Sequence, residues 1–179
     1  MASEIYNISN IFSRQKRRKL IKKSKPLCRF NSTTKMWETK DLRFNKDFWD
    51  PSLHIISLFE KKLGLKLEIV NLWITYTRGE KLKYHTHPFD WACVYYMKTN
   101  SLLRNNGTKF KFSEDDEQLV KSPQNSAILF DGSIPHVTPD FRPLDDRYAL
   151  TMDLIIVNDD GSYRNFIQLP GPEEHLIRK

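Results

Sequence analysis

The stretch Lys83-Tyr-His-Thr-His-Pro-Phe-Asp-Trp-Ala-Cys-Val-Tyr-Tyr-Met97 sets His85 and His87 two residues apart, just ahead of an aromatic and β-branched run that reads as a strand. On extended backbone such residues share a face, so both imidazoles can reach one point. That is metal-ligand spacing. Imidazole suits iron, zinc, copper and nickel, and two or three protein ligands on one side leave coordination positions open.

Outward from this phrase the texture stays β-rich. Upstream, LKLEIVNLWITYT (65–77) reads as one long or two short strands, and Arg78-Gly79 as a turn. Downstream, a polar loop at 99–108 precedes KFKF (109–112), QLVK (118–121), SAILF (126–130), RYALTMDLIIV (147–157) and YRNFIQL (163–169). One helix stands in front: Asp50 is a suitable N-cap, Pro51 suits the first helical position and Gly64 suits the stop. This predicts a helix over 51–63 with Leu53, Ile56, Phe59 and Leu63 on its apolar face. Seven or eight short strands behind one helix imply a mainly β fold, a jelly roll or barrel with N-terminal helical buttressing.

A second phrase, SAILFDGSIPHVTPDFRPLDDRYALTMDLIIV (126–157), runs from a strand through a tight turn at Asp131-Gly132. It then carries His136 in a proline-flanked segment and opens another strand with Arg147. A histidine placed by a rigid turn at a strand edge can complete a metal site begun by His85 and His87. Arg147 follows His136 by 11 residues and shares a strand face with Ala149, Thr151 and Asp153. A guanidinium pointing into a barrel needs an anion. A bound dicarboxylate can provide it by bidentate pairing, and so can Asp145, Asp146 or Asp153 in a plain salt bridge.

These pieces in this order resemble the 2-oxoglutarate- and Fe(II)-dependent oxygenases. The pieces are HxH, about fifty residues, FxGxxPHVxP and an arginine 11 residues after the histidine. Over residues 66–157 the chain looks most like the small phage-type members, whose HxHP phrase precedes a strand ending in VYY. The resemblance implies a double-stranded β-helix, the cupin-like jelly roll, with His85 and His136 on a mononuclear iron, to which strand geometry adds His87. It implies Arg147 on the far carboxylate of 2-oxoglutarate, and Tyr76 with Tyr95 or Tyr96 lining the cosubstrate pocket. Cofactors are then Fe(II), 2-oxoglutarate and dioxygen. The reaction is oxidation of an unidentified small molecule or protein side chain, with succinate and carbon dioxide as co-products. Two positions depart from the pattern. Most relatives carry a carboxylate two residues after the first histidine, where this chain has His87; either His87 is the third ligand or Asp90 reaches in. Many carry a hydroxyl two residues after the arginine, where this chain has Ala149. Trp73 and Trp91 read as plain core ahead of the alternative, substrate walls.

The 179 residues suffice for one ordinary domain, and 39% hydrophobic against 28% charged residues excludes wholesale disorder. Two cysteines, Cys28 and Cys93, outside any CxxC, suggest neither a disulfide framework nor a zinc knuckle. The expected setting is soluble and cytoplasmic, the host cytoplasm if the chain is viral, since its start lacks the apolar core of a secretory signal and no apolar run reaches membrane length. The formal charge of +7 is local. Eight basic and no acidic residues lie between Arg14 and Lys25, leaving the remainder near −1. Residues 1–45 accordingly read as an irregular basic extension before a domain at 46–179, able to grip phosphates or an acidic protein. Two other readings share the motifs. In a cupin-type enzyme or ligand binder the metal works without 2-oxoglutarate: Gly79 and His85-Thr86-His87 fit that family's opening motif, but its downstream glutamate is missing. In a binding module the basic run itself engages nucleic acid or protein.

Overall fold

The computed structural model describes residues 5–78, 82–99, 106–139 and 146–164. Its strands are β1 (Ile5–Ser9), β2 (Arg29–Asn31), β3 (Met36–Glu38), β4 (Lys66–Thr77), β5 (Trp91–Lys98), β6 (Gly107–Lys111), β7 (Glu117–Lys121), β8 (Ser126–Asp131), β9 (His136–Val137) and β10 (Arg147–Val157). Its helices are α1 (Arg14–Ser24) and α2 (Lys46–Leu63). The strands form a seven-stranded sheet ordered β1-β8-β5-β10-β4-β3-β2 and a three-stranded sheet ordered β7-β6-β9, with every pairing antiparallel. His85 extends the small sheet. Its N–H donates to the His136 carbonyl at 3.1 Å and its carbonyl accepts from the His136 N–H at 3.0 Å. Two antiparallel sheets facing one another, with helices on the outside of the larger, make a double-stranded β-helix.

Strand alternation divides the interior into two layers. On β10, Tyr148, Leu150, Met152, Leu154 and Ile156 point outward and pack with Phe48, Ile55, Ile56 and Phe59 of α2 and Leu20 of α1. From β5 and β8 the same layer receives Cys93, Tyr95, Met97, Ala127 and Leu129. The residues between them, Ala92, Val94, Tyr96, Ile128, Phe130 and Ala149, face the small sheet and meet Phe110 and Ile134. Full burial of each Leu or Ile contributes about 1.5–3 kcal/mol, so the helix-side layer carries most of the hydrophobic stabilisation.

One irregularity sets the phase of β4. Asp153 pairs with Asn71 and Leu154 with Ile69, which leaves Val70 as a bulge. Before it Leu67 and Ile69 face the helices; after it Leu72 and Ile74 do. The extra residue therefore turns Asn71, Trp73 and Thr75 toward the inter-sheet space. Without it they would face the helices.

The helices differ from expectation in two respects. α2 begins at Lys46, five residues earlier than the Asp50-Pro51 signal indicated: the Asn45 side chain accepts from the Asp47 N–H at 3.1 Å, and Phe48 in the first turn is fully buried. Pro51 lies inside the helix, and Gly64 closes it at φ 67°. The buried stripe is Phe48, Ser52, Ile55, Ile56 and Phe59, so Leu53 falls off it and is exposed. The segment before residue 46, expected to be irregular, supplies β1, α1, β2 and β3. The basic run folds as α1 because Ser13 caps it and its long straight-chain residues favour helix, while Leu20 and Ser24 anchor it in the helix-side layer. It thus lies on the opposite side of the large sheet from the inter-sheet space. Asn125 ties the connection down, bonding Phe12 through both N–H and carbonyl and accepting the Tyr95 hydroxyl at 3.0 Å. The turn at Gly79, most of the 99–108 loop and most of the strand at 163–169 lie outside the described residues. Among the described residues no helix is long and apolar enough to cross a membrane.

Candidate metal centre

Local sequence explains how three histidines reach one place. After β8 the Asp131 carboxylate accepts from the Ser133 N–H at 2.8 Å and the Ser133 hydroxyl at 2.6 Å, and the Ile134 N–H closes the turn on the Asp131 carbonyl at 3.1 Å. Gly132 serves close approach: its carbonyl accepts from the His87 N–H at 2.8 Å, and a Cβ there would lie 2.3 Å from the Phe89 carbonyl oxygen. The turn thereby clamps the 85–90 segment against β9, which sets His85 and His87 opposite His136.

The ligand nitrogens of His85, His87 and His136 lie within 4.8 Å of one another. Nε2 of His87 and Nε2 of His136 are 3.2 Å apart, and their rings stack at 11°. Two nitrogens each about 2.1 Å from an ion and at right angles are separated by about 3 Å, so this pair fits a metal. Each ring's other nitrogen has an acceptor beside it. His136 Nδ1 lies 2.9 Å from the Ile134 carbonyl, His85 Nδ1 lies 3.3 Å from the Lys83 carbonyl, and His87 Nδ1 lies 2.7 Å from Asp153 Oδ1. With Nδ1 occupied in all three, the Nε2 lone pairs are left for a metal. Burial, with the neighbouring His85 ring, pushes the His136 pKa down to about 3. His85 stands open at the mouth, yet enough protein surrounds its ring that desolvation lowers its pKa as well. Both imidazoles are therefore neutral near pH 7, the form that ligates. Asp90 takes no part in this cluster: its carboxylate accepts from the Ile156 N–H of β10 at 2.8 Å.

Arg147 is buried beside the histidines, in an inter-sheet cleft of about 480 Å³ counted to its open mouth. Its Nη1 donates to the Thr138 hydroxyl at 2.6 Å, its guanidinium lies 5.0 Å from the Tyr96 ring centre, and its Nε is buried without a hydrogen-bond partner. Burial also lowers its pKa. Among the described residues no carboxylate pairs with it: Asp146 is engaged by Tyr76, Lys98 and Arg78, and Asp153 by His87 and Asn71. Asp145 lies outside the described residues. The position two after the arginine, Ala149, packs in the inner apolar layer, but Thr75, Thr108, Thr138 and Thr151 bring hydroxyls to the cleft.

The three tyrosines separate by strand face. Tyr96 underlies Arg147, and its hydroxyl bonds that of Thr108 at 2.5 Å. Tyr95, next in the chain, necessarily points the other way, into the helix-side layer against Phe12. Tyr76 also faces away from the cleft, stacked on Tyr148 and donating to Asp146 at 2.7 Å, because the bulge turned Thr75 inward instead. The tryptophans split too: Trp91 packs on Tyr6 in the outer layer, whereas Trp73 lines the cleft 5.9 Å from the His87 ring. Sequence reasoning missed Met36, Leu82, Thr75, Thr108 and Thr138 as cleft walls and ranked Trp73 as core first, while Thr151 lies on the Arg147 face as alternation indicated. The phase of β4 after its bulge would have found Trp73 and Thr75.

The three histidines that could hold a metal ion thus sit between the sheets of a double-stranded β-helix. Comparison with solved structures finds the same fold in 2-oxoglutarate-dependent enzymes, the family that the sequence motifs resemble. HygX from Streptomyces hygroscopicus, solved with nickel, 2-oxoglutarate and hygromycin B, superposes with a TM-score of 0.70 at 9% identity, covering 85% of this chain and 82% of that one. The non-haem α-ketoglutarate-dependent epimerase SnoN of nogalamycin biosynthesis superposes with a TM-score of 0.63 at 12% identity, over 95% of this chain and 84% of its own. A Pseudomonas putida prolyl-4-hydroxylase gives 0.58 at 14% identity, over 86% and 92%. No family model matches the sequence, and no curated protein matches it.

Proposed function

We propose that the chain is a 2-oxoglutarate-dependent non-haem iron oxygenase that oxidises an unidentified small molecule or protein side chain. The observation that carries this reading is Arg147, a buried guanidinium without a carboxylate partner among the described residues, in the same cleft as three converging imidazoles. A buried unpaired charge costs several kcal/mol, so the site is built for an anion. A dicarboxylate that reaches both the guanidinium and a metal satisfies both ends at once.

His85, His87 and His136 hold the iron, which when bound with 2-oxoglutarate and dioxygen supplies C–H oxidation coupled to formation of succinate and carbon dioxide. His136, the most buried of the three, anchors the centre from β9, and His85 leaves its outer side open to substrate. Arg147 holds the far carboxylate of the cosubstrate. Thr138 fixes the guanidinium, and the Tyr96 ring beneath it stabilises the cation. Trp73, Met36 and Leu82 wall the cleft and limit water access. A cupin-type reaction without 2-oxoglutarate gives Arg147 no role.

The test is an anaerobic titration of the metal-free chain with Fe(II) and then 2-oxoglutarate, followed by admission of air. One equivalent of each should bind, and air should yield succinate. Failure to bind 2-oxoglutarate, or unchanged succinate production by Arg147→Ala, would overturn the reading.

A further inference from the structure

We propose that Asp153 is a positioning residue of this centre, with its carboxylate, tethered by Asn71 across the bulge at Val70, orienting His87 and balancing the charge of an all-histidine ligand set. This inference rests on the metal reading above and goes beyond it in assigning the ion's charge balance to a residue outside the ligands.

Asp153 is 4% exposed. Its Oδ1 lies 2.7 Å from His87 Nδ1, and its Oδ2 accepts from Asn71 Nδ2 at 2.9 Å. Among the described residues Oδ1 has no aligned hydrogen bond, and its 2.7 Å approach to the His87 ring is an ion-pair-type contact, so the His87 ring is the group it serves. Arg147 cannot be that partner. Six residues along one strand place the two about 20 Å apart along the backbone. With Nδ1 against Asp153, Trp73 nearby and the His136 ring stacked on it, the His87 ring is held with Nε2 turned to the Nε2 of His136.

The sequence shows why such a residue is needed. Three imidazoles are neutral, so a dipositive ion held by them alone keeps its whole charge in a buried site. A cosubstrate dianion cancels the ion and leaves Arg147 as one uncompensated positive charge. Asp153 supplies the missing negative charge next to a ligand, where a carboxylate ligand would otherwise sit. The arrangement depends on the bulge, because without the extra residue at Val70 the Asn71 side chain would face the helices and the carboxylate would lose its tether.

The experiment is an anaerobic titration with Co(II) as spectroscopic probe, on full-length chains stripped of metal, recording affinity and the visible ligand-field spectrum. The unsubstituted chain should bind one equivalent. Asp153→Asn should bind about 10- to 100-fold more weakly with an altered spectrum, a response that a purely structural role would not give. Asp153→Glu should restore part of the affinity, and Asn71→Ala should shift affinity and spectrum in the same direction by several-fold. Asn71→Ala keeps the carboxylate and removes only its tether, so it decides the matter if Asp153→Asn does not fold. Affinity and spectrum unchanged in Asn71→Ala and in every folded Asp153 variant overturn this inference alone. Absence of Co(II) binding by the unsubstituted chain overturns the metal reading and this inference with it.

Discussion

The two faces of β10 belong to one strand and obey different rules. Toward the helices it presents Tyr148, Leu150, Met152, Leu154 and Ile156, apolar and closely packed. Toward the small sheet it presents Arg147, Ala149, Thr151 and Asp153, two of them charged, all buried. The outer face satisfies its needs within the chain. The inner face does not: among the described residues Arg147 has no anion, and Asp153 faces a histidine whose other nitrogen points into the cleft. A fold gains nothing in stability from a buried unpaired cation, so the inner face is explained by what it binds.

The sharpest break between the faces is a pair of truncations. His136→Ala should bring metal binding below detection while the chain still unfolds cooperatively, since its ring belongs to the cleft. Leu150→Ala should do the reverse, costing about 2–5 kcal/mol of stability while its folded fraction still binds one equivalent of metal. Metal content after dialysis, read beside urea unfolding, checks both. If the two variants lost stability and metal in the same proportion, the division of labour would be wrong. Next in size is Arg147→Ala, expected to weaken 2-oxoglutarate binding about 30-fold or more with Fe(II) affinity unchanged, because only one end of the cosubstrate loses its partner. Calorimetry with each component separately distinguishes this from general collapse of the site.

How far this contrast was legible follows from what decides each face. Strand alternation put Arg147, Ala149, Thr151 and Asp153 together from the sequence alone, since β10 is regular through that stretch. Alternation also brought His85 and His87 to one face, and the FxGxxPH phrase carried His136. At β4 the resemblance put Tyr76 at the cosubstrate pocket, but the bulge at Val70 sets the phase so that Thr75 faces the cleft instead. The sequence reading also failed before residue 46. The basic run hid a helix with a single fully buried leucine, Leu20, and only tertiary packing shows that IYNIS pairs with β8 as an edge strand. Asp90 against His87 was open for another reason, because proximity in sequence does not show that a backbone N–H of β10 claims the Asp90 carboxylate.

A smaller effect tests the turn that joins the histidines. Gly132→Ala places a Cβ against the Phe89 carbonyl, so the 85–90 segment must move while both apolar layers stay intact. Displacements of about an ångström at such sites cost of order tenfold or more, so metal affinity should fall about tenfold with stability changed little. Unaltered affinity in this variant would mean that the turn does not set the position of His87.

The smallest effect concerns Asp146 and Arg147, neighbours in sequence with opposite circumstances. Burial alone would raise the pKa of Asp146, but the Tyr76 hydroxyl and the Lys98 and Arg78 cations outweigh it and hold the carboxyl below its ordinary range. Since the folded value is the lower one, its contribution to stability is present above the ordinary carboxylate pKa and is lost as pH falls through the lowered value. The group is partly open to water, so about a few tenths of a kcal/mol are at stake. Asp146→Asn should therefore unfold at slightly lower urea than the unsubstituted chain at pH 7, and the difference should vanish on acidification. Its 2-oxoglutarate affinity should stay the same, because the charge that Asp146 answers lies on Lys98 and Arg78 and leaves Arg147 waiting for a partner from outside the chain. A parallel loss of 2-oxoglutarate binding would show that the two neighbours act as one unit, and the contrast between the faces would then end one residue before β10 begins.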